Sequence, residues 1–161
     1  MQKIINNMTS SIFSFRKQDS LYICTVQVDY TKALNHLCAN INDKSFLPKI
    51  EEHFSKNKKG VENVEMAFFQ PEYSMNMNSV DALYKKYNLQ PNPYAQTTIN
   101  YRNPSFCYDY DNFLLWKIEK NEYIRIDFFN HHDDFFISVD QKKSDDHTYN
   151  YQWYAGELIK S

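Results

Sequence analysis

The sequence predicts an α+β fold: a mainly antiparallel sheet whose C-terminal meander, residues 112–154, packs against two or three helices from the N-terminal half. Three observations carry this. The stretches 113–119, 123–128 and 135–140 each alternate apolar with polar residues, the period-two pattern of a sheet with one buried face. Residues 33–41 and 46–54 instead repeat their apolar positions at helical spacing. At 161 residues the chain can bury one core without disulfides or metal, so a single domain over 1–161 is expected.

Taken in order, residues 21–29 are β-branched and roughly alternating, a first strand. Thr31 is placed as an N-cap, and Ala33, Leu34, Leu37, Cys38 and Ile41 then form one helical stripe closed by Asn42-Asp43. Pro48 fits a first turn, so Phe46, Leu47, Ile50 and Phe54 make a second short helix ending at Lys56-Asn57-Lys58-Lys59-Gly60. Residues 61–70 are apolar on both parities and read as a strand buried on both faces, stopped by Pro71. Ser79 is placed as the cap of a third helix that buries Val80, Leu83, Tyr84 and Tyr87. Asp81 near its start and Lys85 and Lys86 near its end suit the helix dipole. Pro91-Asn92-Pro93 makes 88–94 a loop, and 95–101 reads as a strand before Asn103-Pro104.

In the meander, parity fixes which residues can face each other. A two-residue turn at His131-His132 pairs Phe128 with Phe135, Ile126 with Ile137 and Ile124 with Val139. A two-residue turn at Lys120-Asn121 would oppose apolar to polar faces, so a three-residue loop or a bulge is expected there. It pairs Ile118 with Ile124, Trp116 with Ile126 and Leu114 with Phe128. Tyr149, Tyr151 and Trp153 alternate with Asn150, Gln152 and Tyr154 in a last strand ended by Gly156.

Composition excludes several functions. Two glycines leave no room for a Gly-rich phosphate loop or dinucleotide fingerprint. Cys24, Cys38 and Cys107 form no CxxC pair, and no signal-peptide core or membrane-spanning run is present, so a cytoplasmic chain is expected. Aromatic residues make up 17%, with 13 Tyr and 12 Phe, so the chain folds despite a mean hydropathy of -0.70.

No motif carries catalysis. His131-His132-Asp133-Asp134 holds metal-ligand types, but neighbouring side chains at a hairpin tip diverge. Asp109-Tyr110-Asp111-Asn112 lacks the glycine and closing Glu of a calcium loop and reads as a solvated strand entry. Lys117 and Glu119 alternate on an exposed face without an upstream acid. The cysteines sit in apolar sequence, and His36 and His53 on helices have no spaced partner. Neither a cofactor, a metal site nor an enzyme is expected. Lys56, Lys58 and Lys59 could meet nucleic acid, but the aromatic sheet that would stack bases is acidic.

Charge is uneven along the chain. Residues 1–104 hold 12 Lys and Arg against 9 Asp and Glu, whereas 105–161 hold 6 against 11. The sequence therefore points to an acidic outer sheet face of Asp127, Asp133, Asp134, Asp140, Asp145 and Asp146, interspersed with Tyr123, Phe129, Phe136 and Tyr154. Such a face suits a basic protein partner, carboxylates steering the encounter and rings anchoring it. The expected function is that of a non-enzymatic stoichiometric inhibitor, for instance a bacterial immunity protein that covers a nuclease toxin's basic active site. The alternative is a small-ligand binder or enzyme with a pocket between sheet and helices, where Tyr, Trp116 and His residues converge.

Overall fold

The computed structural model describes residues 8–54, 60–132, 134–148 and 152–160. The elements run β1 (Arg16–Gln18), β2 (Leu21–Asp29), α1 (Tyr30–Asn40), a 3-10 turn (Lys44–Phe46), α2 (Leu47–Phe54), β3 (Val61–Phe69) and β4 (Met75–Asn76). They continue with α3 (Met77–Lys86), β5 (Leu89–Gln90), α4 (Pro93–Arg102), α5 (Pro104–Asp109) and β6 (Asn112–Glu119). The chain closes with β7 (Glu122–His131), β8 (Asp134–Lys143), β9 (His147–Thr148) and β10 (Trp153–Leu158). The architecture is α+β. The main sheet has the order β1-β2-β3-β10-β6-β7-β8 with β5 also on β10, and among the described strands only the β10–β6 pair is parallel. A small second sheet joins β4 to β9.

Alternation in the strands creates two cores. Tyr22, Cys24, Val26, Met66, Phe68, Leu114, Trp116, Ile124, Ile126, Phe128, Ile137 and Ala155 point to one face, covered by α1, α2, α4 and α5. Ile23, Ala67, Phe69, Phe113, Leu115, Tyr123 and Tyr154 point to the other, where α3 packs through Met77, Val80 and Tyr84. The Tyr84 hydroxyl donates to the Ala155 carbonyl (2.7 Å) and accepts from the Leu115 N–H (3.2 Å), bridging β10 and β6 where their own pairing is short. The open edge of β8 is covered by the turn after α1. Asn42 N–H donates to the Ile137 carbonyl (2.9 Å), and its side-chain oxygen accepts from the Val139 N–H (3.3 Å).

The meander has the predicted faces but not the predicted partners. Phe128 pairs with Ile137, Ile126 with Val139 and Ile124 with Gln141, a shift of two residues. In the other hairpin Trp116 pairs with Ile124, Leu114 with Ile126 and Asn112 with Phe128, with the expected bulge between Lys117 and Glu119. A two-residue shift keeps every side chain on its face, so the apolar pattern is blind to it. Turn geometry makes the choice: Asn121 (φ 66°) and His132 (φ 51°) take the left-handed conformation that tight turns require.

Other local expectations are corrected. Asp29 caps α1 in place of Thr31, its carboxylate accepting from the Thr31 and Lys32 N–H groups, and Asn76 caps α3 in place of Ser79. Tyr149, Asn150 and Tyr151 lie outside the described residues, as do Lys56, Lys58 and Lys59. The last strand begins at Trp153 and runs through Gly156 between β3 and β6, and glycine is required there because a side chain would stand 2.9 Å from the Leu89 Cβ.

Residues 95–101 form helix α4 rather than a strand. The Asn92 side chain accepts from the Ala95 N–H (3.0 Å) and Pro93 pre-sets the first turn. The helix is buried on nearly all sides, so it shows no apolar stripe. Its polar residues face a buried amide cluster: the Asn112 side-chain oxygen accepts from Gln96 and Asn100 (both 2.9 Å). The Asn112 amide donates to the Asn100 oxygen and to the Tyr110 carbonyl (both 2.9 Å). Replacing Asn112 with Ala strands several of these groups at once, each costing about 1–3 kcal/mol. Urea unfolding of Asn112→Ala should show a loss of roughly 3 kcal/mol or more; a loss below about 1 kcal/mol would show that the cluster does not anchor α4. Gly156→Ala should cost about 1–3 kcal/mol by overpacking against Leu89 and Tyr84, read in the same experiment.

Candidate functional site

The β7–β8 hairpin turns Ile124, Ile126, Phe128, Phe135, Ile137 and Val139 into the first core. The intervening residues face the opposite side in paired rows. His131 stands beside Asp134, Phe129 beside Phe136, Asp127 beside Ser138 and Arg125 beside Asp140. Here α3 no longer covers the sheet: Phe136 is 37% exposed, and Asp134 and Asp140 are exposed. The Phe129 and Phe136 rings stack with centroids 5.7 Å apart. This face brings together Asp127, Phe129, Asp134, Phe136 and Asp140 from the predicted set.

The other predicted residues are elsewhere. Tyr123 and Tyr154 share the same sheet side but are buried beneath α3, at 1% and 0% exposure, so neither belongs to a surface. The hydroxyl of Tyr123 donates to Asn78 (2.6 Å) and that of Tyr154 to Thr148 (2.9 Å). Asp145 and Asp146 are exposed, but they follow the far end of β8, about 30 Å along the strand from Asp134. Asp146 is also engaged locally, accepting from the Lys143 N–H (2.7 Å) to close the turn. Asp133 lies outside the described residues. The expected acidic patch does not form as one surface, because Asp134 and Asp140 lie along β8 while Asp145 and Asp146 sit in the turn beyond its Lys142–Lys143 end.

At the border where α3 stops, the face holds a polar group that sequence reasoning missed. The half-buried Asp127 carboxyl donates a hydrogen bond to Asp111, and the Asp127 Oδ1 is buried without a hydrogen-bond partner. Burial, and then the Asp111 carboxylate beside it, push Asp127 up to about 9, so it holds its proton at neutral pH. Burial also raises Asp111, opposed by the Asp127 hydrogen bond and by Arg125. The Arg125 guanidinium lies 4.8 Å from the Phe113 ring centre and donates to the Tyr154 hydroxyl, while its Nε is unpartnered. The signal for Asp111 was register: with Asn112 opposite Phe128, Asp111 falls diagonal to Asp127, and the predicted register moved it two residues away.

Elsewhere the cysteine and helix-histidine candidates are packed against neighbours. Burial pushes the Cys24 and Cys107 thiols up to about 12. His36 stacks on Tyr101 and His53 packs on Trp116. No group of three or more His, Cys, Asp or Glu residues is placed to hold a metal ion among the described residues. No helix among them is long and apolar enough to cross a membrane. Comparison with protein-family models, curated proteins and solved structures finds no match to this chain.

The shared proton has a sign that can be measured. Asp127 sits above its ordinary value of 3.8 when folded, so the folded chain keeps a proton that the unfolded chain releases. Stability therefore falls as pH rises from about 4 towards about 9 and levels off beyond, with a slope below about 1.4 kcal/mol per pH unit. Asp127→Asn keeps the donor and removes the titration. Its stability should gain on the parent steadily across that window; parallel stability curves would show that Asp127 titrates normally.

Proposed function

We propose that this chain is a non-enzymatic protein-binding protein that docks a basic partner on the uncovered face of the β7–β8 hairpin, in the manner of a stoichiometric inhibitor. A bacterial immunity protein that neutralises a nuclease toxin is the kind of inhibitor meant. The observation that carries the reading is the exposed Phe136 stacked on the half-buried Phe129 and flanked by Asp134 and Asp140. Solvent-facing phenylalanines on a strand are costly unless covered, and stacked rings offer an anchor with little side-chain entropy to lose. Around them the charges favour a cation. Next to the rings Asp134 and Asp140 are exposed and Asp127 holds its proton, with Arg125 beside Asp140; Lys142 and Lys117 share this side of the sheet but lie beyond Asp140, around Tyr123. A lysine- or arginine-rich surface would find carboxylates to steer it and rings to sit on.

The reading is narrower than the sequence suggested, since it uses one hairpin face and leaves Tyr123, Tyr154, Asp145 and Asp146 out of the contact. It predicts that the chain retains a basic protein from a lysate of its source organism at low salt. Phe136→Ala should weaken that complex roughly tenfold or more, chiefly through faster dissociation. Asp134→Asn with Asp140→Asn should slow association and flatten its salt dependence. Retention of no basic protein at low salt, or a complex indifferent to all three changes, would contradict the docking face.

A further inference from the structure

On the helix-covered side of the sheet, away from the docking face, a pocket of ≈ 320 Å³ opens between α2 and the end of β6. Its size is that of a small-ligand site. Trp116 and His53 line it, their ring centres 4.6 Å apart, and Phe54 backs the indole edge-on at 4.9 Å. Trp116 is 7% exposed, and its Nε1–H is buried with no hydrogen-bond partner.

The rim supplies both signs of charge. Lys49, Glu52 and Glu119 line the same pocket, and none of them forms an ion pair among the described residues. Lys117 also contributes to the wall, but its ammonium lies 5.8 Å from the Tyr123 ring centre on the opposite face of the sheet. One ammonium and two carboxylates with no ion pair among the described residues thus line one small volume together with the His53 ring and the edge of Trp116.

We infer that this pocket binds a small zwitterion with a flat apolar body, of the class of a free aromatic amino acid. The ligand's ring lies against His53 and Trp116, and its ammonium meets Glu52 and Glu119. Its carboxylate faces Lys49. An uncharged aromatic would leave the rim unmatched, and a simple anion would meet two carboxylates.

The chain has two tryptophans, which gives the test an internal control. Trp153 also buries its Nε1, but between Tyr22 and Tyr110 in the core. The ¹⁵N-labelled full chain is titrated with L-phenylalanine while both indole N–H signals are followed, assigned with Trp116→Phe. The Trp116 signal should move saturably with a Kd of about 1 mM or tighter while the Trp153 signal stays in place. Phenethylamine and 3-phenylpropionate, each lacking one charge, should bind about tenfold more weakly, and Glu119→Gln should weaken L-phenylalanine on an otherwise unchanged spectrum. No saturable shift by about 10 mM, joint movement of both indoles, or equal binding of the two truncated analogues would overturn the inference.

Discussion

The buried amide cluster of Gln96, Asn100 and Asn112 is the constraint on which the arrangement of this molecule depends. An asparagine side chain removed from water must find partners for its oxygen and its amide. Asn112 finds all of them on α4 and at the Tyr110 carbonyl just before β6. That requirement turns Asn112 towards the helices at the first residue of the strand. Because a strand alternates strictly, one residue fixed inward decides the facing of every residue that follows. Leu114 and Trp116 must enter the first core, and Phe113 and Leu115 the second. Pairing carries the same parity through β7 and β8, so the outward position of Phe129, Phe136, Asp127 and Asp140 descends from it.

The extent of α3's cover is explained by what lies beneath. Its apolar side chains sit over Phe113, Leu115, Tyr123 and Tyr154. Beyond these come Arg125, Asp127 and Asp111, which no apolar helix face could cover without heavy desolvation. Even half-open, Asp127 keeps its proton to avoid a second buried negative charge. The polar trio therefore marks where the hydrophobic layer ends and the hairpin's exposed face begins. Function, on this account, occupies the region that the second core is unable to reach.

How much of this was legible in the sequence follows from the same physics. Alternation in 113–119, 123–128 and 135–140 reveals which residues enter the first core, but the expected single buried face is wrong for Phe113, Leu115 and Tyr123, whose side of the sheet is buried as well. Register was hidden, because a shift of two preserves parity and only the left-handed turns at Asn121 and His132 select it. Helix α4 was hidden for the opposite reason: burial of Tyr94, Ala95, Gln96, Thr97, Ile99 and Asn100 erases any stripe, and its β-branched Thr97, Thr98 and Ile99 imitate a strand. Tyr123 and Tyr154 looked like surface rings because an alternating pattern reports a side of the sheet, not whether another helix lies on it. Asp111 escaped notice because its proximity to Asp127 exists only in the true register, whereas Arg125, two residues before Asp127 on β7, shares its face in any register.

Hydroxyl-radical footprinting of the intact chain tests the parity argument most directly, since it compares neighbouring phenylalanines on opposite faces of one hairpin. The account predicts that Phe136, and to a lesser degree Phe129, is oxidised while Phe128 and Phe135 are protected. Equal labelling of all four, or protection of Phe136 with labelling of Phe135, would mean that the hairpin faces the other way and that the proposed docking surface does not exist.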